Sequence, residues 1–271
     1  MKPDFSLNNK VAVVTGGAGV LCSEISKALV QAGAKVAVLD LFQDKAVQLA
    51  EELRSNGAEA IGVGVDVLKK DSIETAAKTV MEKWGRIDIL LNGAGGNKTQ
   101  ATTGEKMSFF DIPQDALQWV FNLNLLGTIM PSQVFGKYMA KKKSGCIVNI
   151  SSMAAITPLT RTVAYSAAKA GISNFTKWLA VHMCQEYSTA IRVNAIAPGF
   201  LLTQQNRFLL TNQDGSSTER GHDILRNTPM NRYGNPEELC GTVIYLCSDA
   251  ASFVTGTVLP IDGGFSAFSG V

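Results

Sequence analysis

Tyr165 and Lys169 are the residues of this chain whose types and spacing best suit chemistry. They stand four apart in YSAAK (165–169), so a helix places the phenol and the ammonium on the same face. A free tyrosine has a pKa of about 10, and a neighbouring cation favours the phenolate and lowers that pKa. We predict that Tyr165 gives or takes a hydroxyl proton while a hydride moves to or from a nicotinamide. Such a pair is also common as a simple surface contact, so the elements around it must decide.

A glycine-rich turn near the N-terminus is the second candidate site. In VVTGGAGVLCSEI (13–25) a hydrophobic strand runs into Gly16 and Gly19, and a helical pattern begins just after them. Turns of this kind let the backbone approach a pyrophosphate at the free N–H groups of the helix. Cys22 stands where a dinucleotide loop normally has its last glycine, and we expect this small side chain to touch protein rather than phosphate. A lone glycine-rich turn is weak evidence, but its place after the first strand strengthens the prediction.

Asp40 indicates which dinucleotide the turn would hold. It ends the second predicted strand, where a carboxylate can accept hydrogen bonds from the adenosine ribose hydroxyls. It would repel a 2′-phosphate, and no Arg or Lys follows it in LFQ (41–43). We therefore predict NAD rather than NADP, with a helix-capping aspartate as the alternative.

Seven short apolar runs alternate with helical patterns and must position these residues. The runs cover 11–15, 35–40, 60–67, 87–95, 146–152, 191–199 and 256–264. They are continuously apolar, as expected for a parallel sheet with helices on both faces. We predict a single domain over residues 1–271, an α/β Rossmann-type doubly wound parallel β-sheet flanked by helices. The polar stretch of about 203–235 interrupts the alternation and predicts a helical substrate lid.

The composition argues against several other classes of protein. The net charge is +2 with both signs scattered, so we expect no nucleic-acid partner. No apolar run approaches the roughly 20 residues that span a bilayer, and MKPDFSLNNK lacks the apolar core of an export signal. The five cysteines are odd in number and form no CxxC pair, which favours free thiols in a reducing, cytoplasmic location. Metal-ligand spacing is absent, so we expect no metal.

A series of short motifs follows in order along the chain. They are TGGAGVLC (15–22), Asp40, DV (66–67), NGAG (92–95), NLLG (124–127), NISS (149–152), YSAAK (165–169), PG (198–199) and DGG (262–264). With these motifs the chain resembles the short-chain dehydrogenase/reductase family over nearly its whole length. Each motif alone is weak, but their combination in this order is highly specific.

The resemblance implies a role for each residue of the catalytic group. Tyr165 is then the general acid/base, and Lys169 both tunes it and holds the nicotinamide ribose. Ser152 matches the serine that hydrogen-bonds the reacting oxygen, with Ser151 as its structural neighbour, although a shift by one residue stays open. Asn124 matches the asparagine that keeps a helix open for a proton-relay water.

The same resemblance implies a set of residues that contact NAD. They are Gly16, Gly19, Val20, Leu21, Asp40, Asp66, Val67, Asn92, Ala94, Gly95, Tyr165, Lys169, Pro198, Gly199, Leu201 and Thr203. Asp66 and Val67 match adenine contacts, and the last two positions match contacts to the carboxamide. Two features depart from the common pattern. The glycine spacing of TGGAGVLC is that of longer, two-domain members, and NGAG replaces the commoner NNAG, which we expect to change a sheet-supporting contact only.

The substrate is indicated by a closer likeness within the family. GGNKTQATT (95–103), APGFLLTQQNR (197–207) and the ending IDGGFSAFSGV resemble members that interconvert D-mannonate and D-fructuronate. A sugar acid needs a cation for its carboxylate and polar groups for its hydroxyls. The candidate substrate-binding residues are Asn97, Ser152, Arg161, Tyr165 and Asn206. Lys98 stands where those relatives are expected to have a histidine, which leaves the exact substrate open.

Other interpretations stay open at this point. Within enzymes, the alternatives are a gluconate 5-dehydrogenase and a 3-oxoacyl reductase. A nucleotide-sensing protein without catalysis is the alternative from another class, because a fold alone does not determine function. The family resemblance also implies a homotetramer.

Overall fold

Seven parallel strands form the centre of the computed structural model, which describes residues 4–203 and 207–270. They are β1 (Val11–Thr15), β2 (Lys35–Asp40), β3 (Ala60–Gly64), β4 (Ile89–Asn92), β5 (Gly145–Ile150), β6 (Ile191–Pro198) and β7 (Val258–Ile261). Their order in the sheet is β3-β2-β1-β4-β5-β6-β7, and every neighbouring pair is parallel. The direction of winding reverses between β1 and β4, so the predicted doubly wound α/β fold is confirmed.

Helices connect the strands and cover both faces of the sheet. They are α1 (Val20–Gln31), α2 (Gln43–Ser55), α3 (Lys70–Trp84), α4 (Gln114–Phe121), α5 (Gly127–Lys142), α6 (Val163–Glu186), α7 (Arg207–Leu210), α8 (Glu219–Arg226) and α9 (Cys240–Cys247). One apolar core packs α1, α2 and α9 against the sheet, and a second packs α3, α5 and α6 against it. The sheet is therefore the middle of three layers.

The apolar strands are explained by these two cores. In β1, Ala12 and Val14 belong to the first core, whereas Val11 and Val13 belong to the second. Successive side chains of a strand point to opposite faces, so each face needs its own apolar residues. Each fully buried valine or leucine contributes about 1.5–3 kcal/mol relative to an exposed one. Burial on both faces is thus the reason that the pattern in the sequence is continuous rather than alternating.

The last five strands, β3 to β7, are each shorter than the sequence predicted, and polar contacts explain where β3 and β4 end. β3 ends at Gly64 rather than at residue 67, because the Asp66 carboxylate accepts a hydrogen bond from the Leu68 N–H at 3.0 Å and turns the chain. β4 ends at Asn92 rather than at residue 95. Beyond it, the Gly93 N–H donates to the carbonyl of Thr15 at 3.2 Å. The segment after β4 is thereby held against the end of β1.

The polar segment predicted to be a lid contains α7 and α8. It is joined to the rest of the fold where the Leu202 N–H donates to the carbonyl of Gly234 at 2.8 Å. Thr218 begins α8, and its hydroxyl accepts from the Gly221 N–H at 3.0 Å. The predicted substrate residue Asn206 lies outside the described residues. That this segment closes over a substrate stays a prediction.

Neither a spanning helix nor a metal cluster is found in the part of the chain that the structure describes. Across residues 4–203 and 207–270, no helix has both the length and the apolar character that crossing a membrane requires. In the same ranges, no three His, Cys, Asp or Glu side chains come together as metal ligands. All five cysteines are free thiols.

Candidate active site

A cleft of about 390 Å³ lies at the carboxyl ends of β1, β4, β5 and β6, where the direction of winding reverses. Open α/β sheets bind ligands at this position. Among the residues predicted for the site, its wall contains Gly16, Gly19, Val20, Leu21, Gly95, Ser152, Tyr165, Lys169, Pro198, Gly199, Leu201 and Thr203. The wall also contains residues that the sequence analysis did not assign to the site: Cys22, Gly93, Gly96, Ile150, Ser151 and Phe200.

The glycine turn forms one wall of the cleft, and its geometry requires glycine. Gly16 has a φ of +60°, and a Cβ there would lie 2.8 Å from the Cα of Ala94. Gly19 is the N-cap residue of α1 and, as a glycine, has no side chain with which to cap that helix. The first N–H groups of a helix lack partners within the helix, so this end of α1 suits a phosphate group. The residues of the turn therefore fit the pyrophosphate of a dinucleotide.

Asp40 lies at the edge of the same turn. One carboxylate oxygen accepts from the Ala18 N–H at 3.1 Å, and the other accepts from the Phe42 N–H at 3.1 Å. A carboxylate has about four acceptor positions, so both oxygens retain capacity for ribose hydroxyls. The bond from Phe42 closes a local turn just before α2, and that helix has Phe42 rather than Asp40 at its N-cap position. Leu41 and Phe42 are largely exposed and supply no positive charge.

Tyr165 lies in the first turn of α6 and reaches the wall of the cleft. Burial raises the pKa of its hydroxyl, and a hydrogen-bonding interaction with the Ser152 hydroxyl opposes that rise. The expectation that Lys169 lowers this pKa is wrong for this structure. The Lys169 ammonium lies 5.5 Å from the centre of the Tyr165 ring and donates to the carbonyl of Ile150 at 2.7 Å. Loss of water around the phenol therefore dominates.

The two neighbouring serines both line the cleft but have different partners, which favours Ser152 over Ser151 as the predicted serine. The Ser151 hydroxyl is buried, 2.7 Å from the Ser173 hydroxyl and 3.1 Å from the carbonyl of Lys169. The Ser152 hydroxyl accepts from the Ala154 N–H at 3.1 Å and interacts with Tyr165. Ser152 is thus the serine that shares the reacting end of the cleft with the tyrosine.

Lys169 is almost completely buried, with 4% of its surface exposed. Burial disfavours its charged form and lowers the pKa of the ammonium from 10.5 to about 8. The side chain is therefore mostly protonated at neutral pH and loses its charge under mildly alkaline conditions. A donor with a fixed carbonyl partner in the wall of the cleft suits a ribose hydroxyl.

Asn124 lies in a π-helical turn, Asn122–Leu126, between α4 and α5. Its amide donates to the carbonyl of Gly96 at 2.7 Å and to the carbonyl of Val120 at 2.8 Å. A Cβ on Gly95 would lie 2.8 Å from the Asn124 amide oxygen and 3.4 Å from the Lys169 nitrogen. Asn124 thus supports the segment that faces Lys169. The predicted open helix is present as this wide turn, and the relay water stays a prediction.

The side chain of Asn92 points into the protein interior. Its side chain is buried, and its amide donates to the Ser132 hydroxyl at 2.9 Å and to the Asn149 amide oxygen at 2.8 Å. Asn149 in turn donates to the Thr176 hydroxyl at 2.9 Å. This network joins β4, β5, α5 and α6 inside the protein. The Asn92 side chain is therefore a structural contact, and the contact of this residue with the cofactor stays a prediction.

Asp66 and Val67 lie just after β3 and outside the wall of the cleft. The Asp66 carboxylate pairs with the Lys69 ammonium at 3.3 Å, and Val67 is buried against Gly127. Ala94 contacts the glycine turn through its backbone. The contacts of Asp66 and Val67 with adenine stay predictions.

Of the predicted substrate residues that the structure describes, Ser152 and Tyr165 lie in the wall of the cleft, whereas Asn97 and Arg161 lie outside it. The Asn97 amide donates to the Thr102 hydroxyl at 3.2 Å. Arg161 has a left-handed backbone, with φ +74°, and its carbonyl accepts from the Thr103 N–H at 2.9 Å. The Lys98 ammonium lies over the ring of Trp119, 4.4 Å from its centre, and that ring packs on the same apolar cluster as Tyr165.

Arg220 of α8 is a candidate that the sequence analysis missed. Burial and the positive charge of Arg161 both lower the pKa of its guanidinium, so the two cations lie near each other. Within residues 4–203 and 207–270, no Asp or Glu forms a salt bridge with either arginine. The two arginines are far apart in the sequence, so their proximity could not be predicted from it. The fold of the polar segment brings Arg220 near Arg161.

The chain is similar in sequence and in fold to several known proteins. A family model described as enoyl-(acyl carrier protein) reductase matches residues 18–266. An uncharacterized oxidoreductase of Bacillus subtilis, UxuB, is 47% identical, with 98% of each chain covered. A 3-oxoacyl-[acyl-carrier-protein] reductase of Synechocystis is 36% identical over 97% of this chain and 99% of its own. The crystal structure of a candidate D-mannonate oxidoreductase from Haemophilus influenzae, with bound NAD, is 45% identical, with a TM-score of 0.93 and 98% of each chain covered.

Proposed function

Since the chain belongs to the short-chain dehydrogenase/reductase family of oxidoreductases, we propose that it interconverts a secondary alcohol and a ketone on a sugar acid with NAD. D-Mannonate and D-fructuronate are the leading substrate pair. The observation that carries the proposal is the cleft itself, in which Tyr165 and Ser152 lie across from a glycine turn. This arrangement supports a proton donor beside a site that would hold a dinucleotide.

Two observations support NAD as the cofactor. Asp40 presents a carboxylate at the edge of the glycine turn, and the residues that directly follow it, Leu41 and Phe42, carry no positive charge for a 2′-phosphate; the nearby Lys45 ammonium lies over the Phe42 ring, 4.9 Å from its centre. The Haemophilus protein of nearly the same fold holds NAD. Gly16 and Gly19 would hold the pyrophosphate, Asp40 the adenosine ribose, and Lys169 the nicotinamide ribose. When bound, NAD supplies the hydride acceptor in one direction and NADH the donor in the other.

Side chains of the protein would transfer the proton that accompanies hydride transfer. The Tyr165 hydroxyl would donate to the carbonyl oxygen of a ketone, or take the proton of an alcohol in the reverse direction. Because burial raises the pKa of this hydroxyl, the protonated form is favoured at neutral pH. That form is the one needed for ketone reduction. The Ser152 hydroxyl lies beside Tyr165 and would hydrogen-bond the same substrate oxygen.

Arg161 and Arg220 support an acidic substrate. Two neighbouring guanidinium groups repel each other, and no carboxylate of the described residues forms a salt bridge with them. A substrate carboxylate would relieve this repulsion and accept charge-assisted hydrogen bonds from one or both. Arg161 is four residues before Tyr165, so this charge lies near the reacting end of the chain's catalytic helix.

A substrate panel tests the proposal directly. NADH oxidation is measured with fructuronate, tagaturonate, 5-ketogluconate and an acetoacetyl thioester, each with NADPH in parallel. We expect fructuronate to give the highest kcat/KM. Preference for the thioester would instead support the 3-oxoacyl reductase alternative, which the Synechocystis relative favours. Firm NADH binding without oxidation across the panel would support a nucleotide-sensing protein.

The arginine pair is tested with Arg161→Gln and Arg220→Gln. Hydrogen bonds to charged groups contribute about 1.5–3 kcal/mol, so we expect kcat/KM for fructuronate to fall roughly 10- to 150-fold in each variant. Activity with an uncharged ketose should change little. Arg54→Gln is the control, because Arg54 lies on α2 beside Glu51. Equal losses with charged and uncharged substrates would contradict carboxylate recognition.

The homotetramer and the cytoplasmic location belong to the same proposal. Family likeness supports the homotetramer, and the free thiols are compatible with a reducing compartment. Gel filtration with light scattering over a range of protein concentrations tests the assembly, and a monomer at all concentrations would contradict it.

A further inference from the structure

Two departures from the family pattern touch each other in the structure. Cys22 stands where a glycine is usual, and Gly93 stands where NNAG would have an asparagine. Cys22 is buried in the first turn of α1, and Gly93 directly follows β4. A Cβ built on Gly93 would lie only 2.1 Å from the Cys22 sulfur. The side chain present at position 22 therefore occupies the space that any side chain at position 93 would need.

The surroundings of Gly93 leave little room for adjustment. Its N–H donates to the Thr15 carbonyl at 3.2 Å, and a Cβ on it would lie 2.8 Å from that same carbonyl oxygen. The next residue, Ala94, contacts Gly16 so closely that a Cβ on Gly16 would lie 2.8 Å from the Ala94 Cα. The segment after β4 is therefore packed directly on the glycine turn, backbone against backbone.

We propose that Cys22 and Gly93 act as one packing unit that sets the spacing between the glycine turn and the segment after β4, which makes Cys22 a positioning residue for the dinucleotide. The inference rests on the proposed NAD-dependent function. Both residues lie in the wall of the cleft, together with Gly16, Gly19 and Gly95. A change in the spacing would thus move the groups that hold the cofactor before it disturbed the rest of the sheet.

The chemistry of the thiol is compatible with this place. Burial raises the pKa of the Cys22 thiol to about 12, so the group is neutral at physiological pH. A neutral sulfur adds volume near the turn without a negative charge that would repel the phosphates. Sulfur is also polarizable and packs well against irregular surfaces.

A double-mutant cycle tests the coupling through NADH binding, measured by fluorescence titration. Cys22→Ala removes only the sulfur, and we expect it to raise the Kd of NADH roughly fivefold, within the usual context dependence of core truncations. kcat at saturating NADH should stay within about twofold, because the catalytic residues are untouched. Gly93→Ala forces a Cβ against the sulfur and should raise the Kd on the order of 100-fold.

The decisive measurement is the double variant. In the Cys22→Ala background, the factor by which Gly93→Ala raises the Kd of NADH should be at least roughly tenfold smaller than in the wild-type background. Such non-additive effects are expected of residues that are in contact. Cys240→Ala and Gly104→Ala are the matched controls. Cys240 is half-buried on α9, and a Cβ on Gly104 would meet open space. Both controls should bind NADH like the wild type.

The outcomes distinguish a failure of this inference from a failure of the proposed NAD-dependent function. Additive effects, or a Cys22→Ala variant with unchanged Kd, would overturn the inference while leaving the NAD-dependent function intact. A wild-type protein that does not bind NADH would overturn both. If Gly93→Ala alone does not fold, recovery of a folded, NADH-binding protein in the double variant supports the coupling, and failure of both refutes it provided that Cys22→Ala folds.

Discussion

The charge of Asp40 provides the sharpest test of cofactor choice. Asp40→Asn removes the negative charge and keeps an oxygen that can accept from the Ala18 N–H, now 3.1 Å from the carboxylate. Asparagine is also close to aspartate in volume. The substitution therefore isolates electrostatic repulsion of a 2′-phosphate from the packing of the glycine turn.

The size of the effect follows from Coulomb's law. At about 4 Å, two unit charges repel by about 1 kcal/mol in water and by about 4 kcal/mol at an effective dielectric constant of 20. Asp40 is partly exposed, so we take about 2 kcal/mol, which corresponds to roughly 30-fold in kcat/KM. The ratio of kcat/KM for NADH over NADPH should fall by that amount. Most of the change should come from improved use of NADPH.

The assay compares initial rates with NADH and NADPH at low ionic strength and at 0.3 M salt. Salt screens exposed charges, so the wild-type preference should shrink as salt rises, and the preference of Asp40→Asn should respond less. Asp44→Asn is the control, because Asp44 is an exposed acid in the first turn of α2, four residues after Asp40. An unchanged NADH/NADPH ratio in Asp40→Asn would refute the reasoning.

Two further predictions concern the catalytic helix. Tyr165→Phe removes the proton donor, so kcat should fall by about 10²- to 10⁴-fold while the Kd of NADH changes little; retained turnover would contradict the assignment. Lys169 has a folded pKa of about 8, below its ordinary 10.5. Between these values the unfolded chain binds the proton that the folded chain has lost, so this group makes stability rise with pH, by about 3 kcal/mol in all. Urea unfolding at fixed protein concentration should show the wild type gaining this stability relative to Lys169→Met between pH 8 and 10.5. A pH-independent difference would exclude a lowered pKa.

The strands and the glycine turn could be predicted because their causes are local. A strand buried on both faces is continuously apolar, and a backbone with φ near +60° at Gly16 requires glycine. The end of β3 was missed because a short polar turn at Asp66 interrupts an otherwise apolar run. That turn is held by hydrogen bonds from the Leu68 and Lys69 N–H groups to Asp66, which leave little trace in the pattern.

The parts of the site that could not be predicted depend on contacts between distant segments. The sequence around Arg220 does not indicate that this residue lies near Arg161, because their proximity depends on the fold of the polar segment. Likewise, the raised pKa of Tyr165 depends on how much water the surrounding elements exclude. The spacing of YSAAK shows that Lys169 shares a face with the phenol, but it does not show that the ammonium is held by the carbonyl of Ile150.

The wide turn at Asn122–Leu126 makes the length of the chain here as important as its composition. α4, this turn and α5 follow one another without a break. Deleting one residue would restore ordinary helical winding and leave α4 and α5 close to their present rotation, because the wide turn absorbs one extra residue. Ala116 and Val120 would then keep their places in the apolar cluster that they share with Ala164. A shorter stretch would therefore preserve the wall beside the tyrosine, but it would lose the local geometry that directs the Asn124 amide to the carbonyl of Gly96.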